Sequence, residues 1–242
     1  MKNAIFALAV ALLLATATFA QTETKPWTEW TKKDTEKILN DSAWGQTQVI
    51  GGSQSTDTSA VTKTQGAGRE SIDRAGESGE LIAQKPLNFR VRFLTAKPVR
   101  EAFARMVVLS RTDAGKDLVD QLQGFIDRDF GNYLVVTISP ESADPRMANG
   151  SMMALSKVDK ESLRDKAYLE RKDGKRLALI DYKPPIADNM GAKFIFERTL
   201  DGQPFLTSES EFVRFVAEIS EKMKVNLRFK VAAMIYGGKL EY

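Results

Sequence analysis

Neither cysteine nor histidine occurs in the 242 residues. Without cysteine there is no disulfide, no thiolate metal site and no thiol nucleophile; without histidine the Ser-His-Asp and Cys-His mechanisms and the common zinc ligand sets fall away. An excess of one charge is missing too. The 35 Lys+Arg stand against 32 Asp+Glu, a formal net charge of +3, which argues against a nucleic-acid surface. Long apolar runs are confined to the N-terminus, which excludes a polytopic membrane protein. What remains is 43% hydrophobic and 28% charged, enough for a folded core in one large or two small domains.

Residues 1–20 have the build of an export signal. Lys2 supplies the positive start, residues 4–14 are apolar and uncharged, and Thr18-Phe19-Ala20 places small residues where a signal peptidase reads. The run is interrupted by Thr16 and Thr18 and falls short of the roughly 20 apolar residues of a spanning helix, so the expectation is cleavage and no transmembrane span afterwards. With no cysteine there is no lipid attachment of the lipoprotein kind. Only Lys2 is lost among the charges, and the protein is expected to be periplasmic or secreted.

Residues 21–44 carry all three tryptophans, Trp27, Trp30 and Trp44. Thr31 followed by Asp34 reads as a capped helix start, and residues 32–41 contain neither proline nor glycine, which predicts a short amphipathic helix. Counted from Trp30, its stripe runs through Asp34 and Ile38, with Leu39 beside them. A helix of about ten residues is marginal alone and must dock on something. Residues 45–84 turn to Gly, Ser, Thr and Gln without a sustained period, the composition of a flexible linker. Their glycines lack the strand and the G-x-x-x-x-G-K-[ST] spacing that a phosphate loop needs.

The core is expected in residues 85–242. Phe89, Val91 and Phe93 alternate with Arg90 and Arg92, the period of a half-buried strand. A helix opening at Pro98 presents Ala102, Met106 and Leu109, and a second over residues 113–129 presents Leu118, Leu122, Phe125 and Ile126. Residues 133–139 form a strand closed by Pro140. Asp173-Gly174 and Asp201-Gly202 read as hairpin turns, flanked by strands at 168–171 and 175–182 and at 193–199 and 205–207. Val213, Phe215, Ala217 and Ile219 alternate, as do Val225, Leu227, Phe229 and Val231, around a turn near residues 220–222. The fold class is therefore mainly β with an α insertion. An antiparallel β-sandwich or open barrel of seven or eight strands is expected, with a helical pair after the first strand and a separate N-terminal amphipathic helix.

The segment W-T-K-K-D-T-E-K-I-L-N-D-S-A-W at residues 30–44, the V-R-E-A-F-A-R run at 99–105 and the M-I-Y-G-G-K-L-E-Y segment at 234–242 resemble a set of uncharacterised exported bacterial proteins. The resemblance spans most of the chain after the signal apart from the linker. It implies export and a shared fold, and it carries no activity, cofactor or catalytic residue.

Catalysis would have to come from paired carboxylates, a Ser/Lys dyad or a carboxylate-bound metal. No S-x-x-K or G-x-S-x-G occurs, and residues 76–79 miss the second pattern by one position. Asp127 and Asp129 stand two apart, but Gly131 comes one position early for an EF-hand and Ile138 stands where the bidentate Glu belongs, so a charged helix end is the simpler reading. Asp159, Glu161 and Asp165 are interleaved with lysines as on a solvated helix face. Binding is the better class, without catalytic residue, metal or cofactor. Two surfaces are candidates. The tryptophan segment, through Trp27, Trp30, Ile38 and Trp44, docks on a partner protein, lies at a membrane interface or folds back on its own domain. The outward positions Arg90 and Arg92 on one strand, with Arg214 on a second and Arg228 and Lys230 on a third, form a cationic face if these strands share a sheet, or merely solubilise the surface if they do not. The expected function is an exported, non-catalytic interaction protein whose partner is an envelope protein or an anionic envelope polymer, not nucleic acid. The alternative is a carboxylate-dependent hydrolase acting on an envelope component. N-terminal sequencing of the exported form should begin near Gln21, and a chain that keeps residues 1–20 in the membrane fraction would overturn the localisation.

Overall fold

The computed structural model describes residues 25–50 and 85–242. The expected signal peptide and residues 51–84 of the expected linker lie outside these. Two antiparallel sheets carry the fold. The larger contains β1 (Gly45–Ile50), β2 (Leu87–Phe93), β3 (Tyr133–Ser142), β6 (Asp181–Lys183) and β7 (Ala192–Glu197) in the order β1-β2-β3-β7-β6. The smaller contains β4 (Ala167–Arg171), β5 (Arg176–Ala178), β10 (Phe212–Ser220) and β11 (Met223–Lys230) in the order β11-β10-β4-β5. Neither closes into a barrel. Alternation decides which residues meet between them: Phe89, Val91 and Phe93 of β2 are fully buried, as are Phe194 and Phe196 of β7 and Phe215 and Phe229 of the terminal hairpin. Phe93 meets Phe229 edge to face at 4.9 Å, and Phe194 meets Phe215 at 5.5 Å. Two-residue strands β8 (Thr199–Leu200) with β9 (Gln203–Pro204), and β12 (Ile235–Tyr236) with β13 (Lys239–Leu240), complete the set.

Residues 45–50, expected as the start of the linker, are instead the edge strand β1, paired with β2 over its whole length. Composition misleads here because β1 is held by polar side chains rather than by apolar burial. Gln48 donates from Nε2 to the carbonyl of Lys224 (2.8 Å) and accepts from the backbone N–H of Asn226 (2.8 Å), while Gln46 donates to the carbonyl of Arg228 (3.0 Å). These bonds join the β1 edge of one sheet to the β11 edge of the other. Gly45 is required by close approach, since a Cβ there would lie 2.4 Å from the Leu39 carbonyl oxygen.

The short helix α1 (Lys32–Asn40) forms with the expected cap: Asp34 N–H donates to Thr31 Oγ1 and Thr31 N–H donates to the Asp34 carboxylate. Its buried face is Thr35 and Leu39, not the Trp30-Asp34-Ile38 line. The phase counted from Trp30 fails because residues 27–29 form a separate 3-10 turn and Trp30 is extended, so it stands outside the helix.

Helix α2 (Lys97–Leu109) follows β2, with Pro98 in its first turn, and α3 (Lys116–Ile126) follows α2. The first half of α2 is buried on all sides, through residues 98–104, whereas Met106 and Leu109, named among its apolar positions, are 45% and 42% exposed. The helix runs past the edge of the packing that covers its start. Its N-cap, Ala96, has no capping side chain, and the backbone N–H of Lys97 donates instead to Glu241 Oε2 at 3.2 Å. Helix α4 (Pro145–Lys157), not foreseen in the sequence, fixes Tyr182 through a hydrogen bond from its hydroxyl to the Leu155 carbonyl; α5 (Lys160–Leu163) is one capped turn within the Lys-interleaved run.

Three strand ends differ from expectation. β3 continues through Pro140 to Ser142, because its pairing with β7 stops at Ile138 and the missing N–H faces no partner on that side. Residues 175–182 split, β5 staying with β4 while β6 crosses to the larger sheet. The Asp201-Gly202 turn, with φ of 53° and 74°, joins only β8 and β9, and residues 205–207 are not a strand.

The C-terminal segment is packed in. Trp44 Nε1–H donates to the Glu241 carbonyl (2.8 Å), Tyr242 is buried beneath the Arg198 guanidinium, and Tyr236 O–H donates to the Glu101 carboxylate. Burial pushes the Glu101 carboxyl up from the ordinary glutamate range, against the pull of the Tyr236 bond and of Lys97 and Arg100.

Two outcomes are expected. Phe229→Ala removes a fully buried ring and should cost about 3 to 5 kcal/mol, whereas Arg228→Ala on the exposed side of the same strand should cost under about 0.5 kcal/mol, as read from denaturant midpoints. Equal losses would mean that the two faces are reversed. A carboxyl whose pKa rises on folding contributes stability that is present at low pH and lost as pH climbs through its folded value. Glu101→Gln should therefore melt above the native protein at pH 7, with the gap closing below the ordinary glutamate range. A gap that widens towards acid would show that folding favours the ionised form.

Candidate functional site

The sequence candidates do not assemble into one surface. Trp27 and Trp30 are only 7% and 6% exposed, within the hydrophobic core. Trp27 Nε1–H donates to Gln123 of α3 (3.1 Å), Trp30 Nε1–H donates to the Lys25 carbonyl (2.9 Å), and Arg105 of α2 donates to the Trp30 carbonyl (2.6 Å). Ile38 and Trp44 are half-buried against the same core. Among the three placements open in the sequence, the tryptophan segment adopts packing on its own domain, with Trp27 and Trp30 turned into the core and Trp44 half-buried.

The cationic face does not form either. Arg90 and Arg92 belong to the larger sheet, Arg214, Arg228 and Lys230 to the smaller, so the strands do not share a sheet. Arg90 pairs with Glu141 and Arg214 with Glu170. Arg92, expected outward in solvent, is 5% exposed: α1 and α2 cover that part of the sheet, and its guanidinium donates to the Leu39 carbonyl (2.8 Å) and Asn40 Oδ1 (2.9 Å) at the C-terminus of α1. Desolvation pulls its pKa down to about 10, still charged at neutral pH. Arg228 and Lys230 are exposed, beside a shallow depression of about 400 Å³ in which Arg228 lies over the Phe212 ring at 4.2 Å.

A larger concavity lies on the outer face of the larger sheet, beside the end of α3. Its volume is about 770 Å³, within the span of small-molecule sites. The floor comes from outward positions of neighbouring strands, Tyr133 and Val135 of β3 with Ile195 and Lys193 of β7, in the register Val135–Ile195. Phe125, in the last turn of α3, and Phe130 after it form one wall, and Ile180, Asp188 and Met190 the opposite one. Gly191 allows the second wall to reach the sheet. Its φ is 84°, and a Cβ there would lie 2.2 Å from the Ile138 carbonyl oxygen. The charges in and beside the groove are organised in pairs: Lys193 Nζ lies 2.6 Å from Asp188, and Lys183 Nζ lies 2.8 Å from Asp181. The Lys183 bond holds the Asp181 carboxyl below its usual range. Arg128 and Lys160 complete the rim.

The run LVV at residues 134–136 was the available clue to this site. In a strand with one solvated face, Val135 should be polar; an unbroken apolar run implies that both faces have something to cover. The walls, by contrast, come from residues far apart in the chain.

Chemically, the groove offers apolar surface with cations at its rim. Acid–base hydrolysis by two carboxylates needs one held protonated near neutral pH. Asp181 is pushed the other way, and Glu101, the described carboxyl that is pushed up, is not among the groove's walls. Among the described residues no cluster of three or more acidic side chains is placed to hold a metal ion, and no helix is long and apolar enough to cross a membrane.

No family model matches the chain, and no curated protein matches it. A solved structure described as a novel protein of unknown function from Burkholderia pseudomallei K96243 is similar over 58% of this chain and 72% of its own, at 12% identity and a TM-score of 0.36.

Proposed function

We propose that this is an exported, non-catalytic binding protein, akin to the exported bacterial proteins that its tryptophan segment and C-terminal segment resemble, and that its ligand occupies the groove on the outer face of the larger sheet. In this reading the two sheets are the layers of a β-sandwich. One face of the larger layer is committed partly to the helices and partly to a ligand. The observation that supports it is the row Tyr133, Val135 and Ile195, apolar outward positions that line the groove, Val135 as buried as Arg92 but Tyr133 and Ile195 left partly open. Tyr133 is 53% exposed. Apolar positions left partly open between two aromatic and aliphatic walls, as Tyr133 and Ile195 are, favour a ligand with an apolar body.

Hydrolysis is the second reading, favoured by the presence of both Asp181 and Asp188 in the groove. It is disfavoured by their separate ion pairs with Lys183 and Lys193.

Nile red, a neutral apolar dye, tests the proposal. Saturable binding with a blue-shifted emission is expected from the native protein. Ile195→Arg should weaken it at least about tenfold while circular dichroism stays native, and Met106→Lys on the exposed end of α2 should leave it unchanged. Dye binding lost with Met106→Lys and kept with Ile195→Arg would place the apolar site on the helix and overturn the reading.

A further inference from the structure

Two cations in the groove lack a partner of their own. The groove's lining holds Arg128, Lys160 and Lys193 against Asp181 and Asp188. Lys193 is taken by Asp188, and Asp181 is taken by Lys183. That leaves Arg128 and Lys160 without an ion pair; of the carboxylates beside them in sequence three are engaged elsewhere, and Glu161, next to Lys160, forms no ion pair among the described residues. Asp127 is held by Lys97 (3.3 Å) and by Gln123 (2.6 Å), Asp129 accepts from the backbone N–H of Gly131 (2.8 Å), and Asp159 caps α5 by accepting from Ser162 N–H (2.9 Å). None of the ion pairs among the described residues includes Arg128 or Lys160. Arg128 is held rather than loose, its guanidinium 5.7 Å from the centre of the Phe130 ring, which itself forms part of the wall.

With three cations against two carboxylates in its lining, the groove presents an apolar floor with an excess of positive charge at its edge, an arrangement complementary to an anion that carries an apolar tail. We infer that the ligand is a single-chain carboxylate amphiphile, its hydrocarbon over Val135, Ile195 and Met190 and its carboxylate at Arg128 and Lys160. This inference rests on the groove being the binding site. A guanidinium fork matches a carboxylate in two parallel hydrogen bonds, and an ammonium on a second element adds charge without fixing geometry. A neutral acyl chain would leave both cations unused, and a cationic amphiphile would be repelled by them. The ion pairs Lys193–Asp188 and Lys183–Asp181 contribute no net charge and can remain intact when the site is filled.

Isothermal titration with decanoate, decanol and decyltrimethylammonium, all kept below their micellar concentrations, tests the assignment. Decanoate should bind one to one, at least about tenfold more tightly than the other two. Shortening it to octanoate should weaken binding about tenfold through the two methylenes lost, and added salt should weaken decanoate but not decanol. The double variant Arg128→Gln/Lys160→Gln should bring decanoate down to the level of decanol, and Ile195→Asp, which puts a like charge on the floor, should remove both. Equal binding of the three decyl compounds, or preference for the cation, overturns the carboxylate assignment while the groove reading stands. Decanoate binding that survives Ile195→Asp in a folded protein places it elsewhere and overturns the assignment as well. If neither the decyl probes nor Nile red binds to folded protein, the groove reading itself falls, and this inference falls with it.

Discussion

Arg92 stands where three parts of the molecule converge. It lies on the outward side of β2, beneath α1 and α2, and its guanidinium meets the carbonyl end of α1 and the face of Phe103. A cation at a helix C-terminus is favoured by the helix dipole, and the hydrogen bonds it makes with charge are stronger than neutral ones. Once it is buried, every polar atom it leaves unpaired is costly, so helix and strand are held in one relative position. The position of α1 carries consequences along the chain. It sets the close approach at Gly45, hence the start of β1, and β1 in turn brings Gln46 and Gln48 to the far sheet.

That arrangement also divides the outer face of the larger sheet. Where the helices lie, outward residues are buried, including the polar Thr137 and the charged Arg92. Further along, the outward residues are apolar, Val135 buried and Tyr133 and Ile195 partly open, and Phe125 of α3, the chain after it and the 184–191 segment rise as walls around them. The candidate site thus lies where α3 and the chain around it cover the sheet only in part. Its rim charges come from segments that serve other purposes, the end of α3 and the capped turn of α5.

Much of the β framework was legible in the residues. The inward alternation of Phe89, Val91 and Phe93, and of the terminal hairpin, reports a period of two that any one-sided sheet imposes, and the Thr31–Asp34 cap reports a local hydrogen-bond exchange. Such features need no knowledge of distant contacts. The failures share the opposite character. Arg92 reads as a solvent-facing cation because its partners are 52 and 53 residues away, and residues 45–50 read as linker because their stabilising contacts lie on β11, some 180 residues on. Trp27 and Trp30 were placed in one segment correctly, but whether they face a partner or their own core depends on Gln123 and Arg105, which the segment does not contain. The groove was hidden for the same reason, apart from the unbroken apolar run at 134–136.

The bonding of Gln48 has a bearing on how this protein behaves in a crowded solution. Open sheet edges invite pairing with edges of other chains, and most proteins blunt them with proline, lysine or an irregular bulge. Here a primary amide on one edge strand does what a peptide group would do, giving a hydrogen and taking a hydrogen at alternate positions of the opposite edge. The two exposed ladders occupy each other without any continuous strand running between them. A hand-clasp of two glutamines thus removes templates on which a second molecule could begin to polymerise, and it does so with side chains that remain fully soluble whenever the clasp is open.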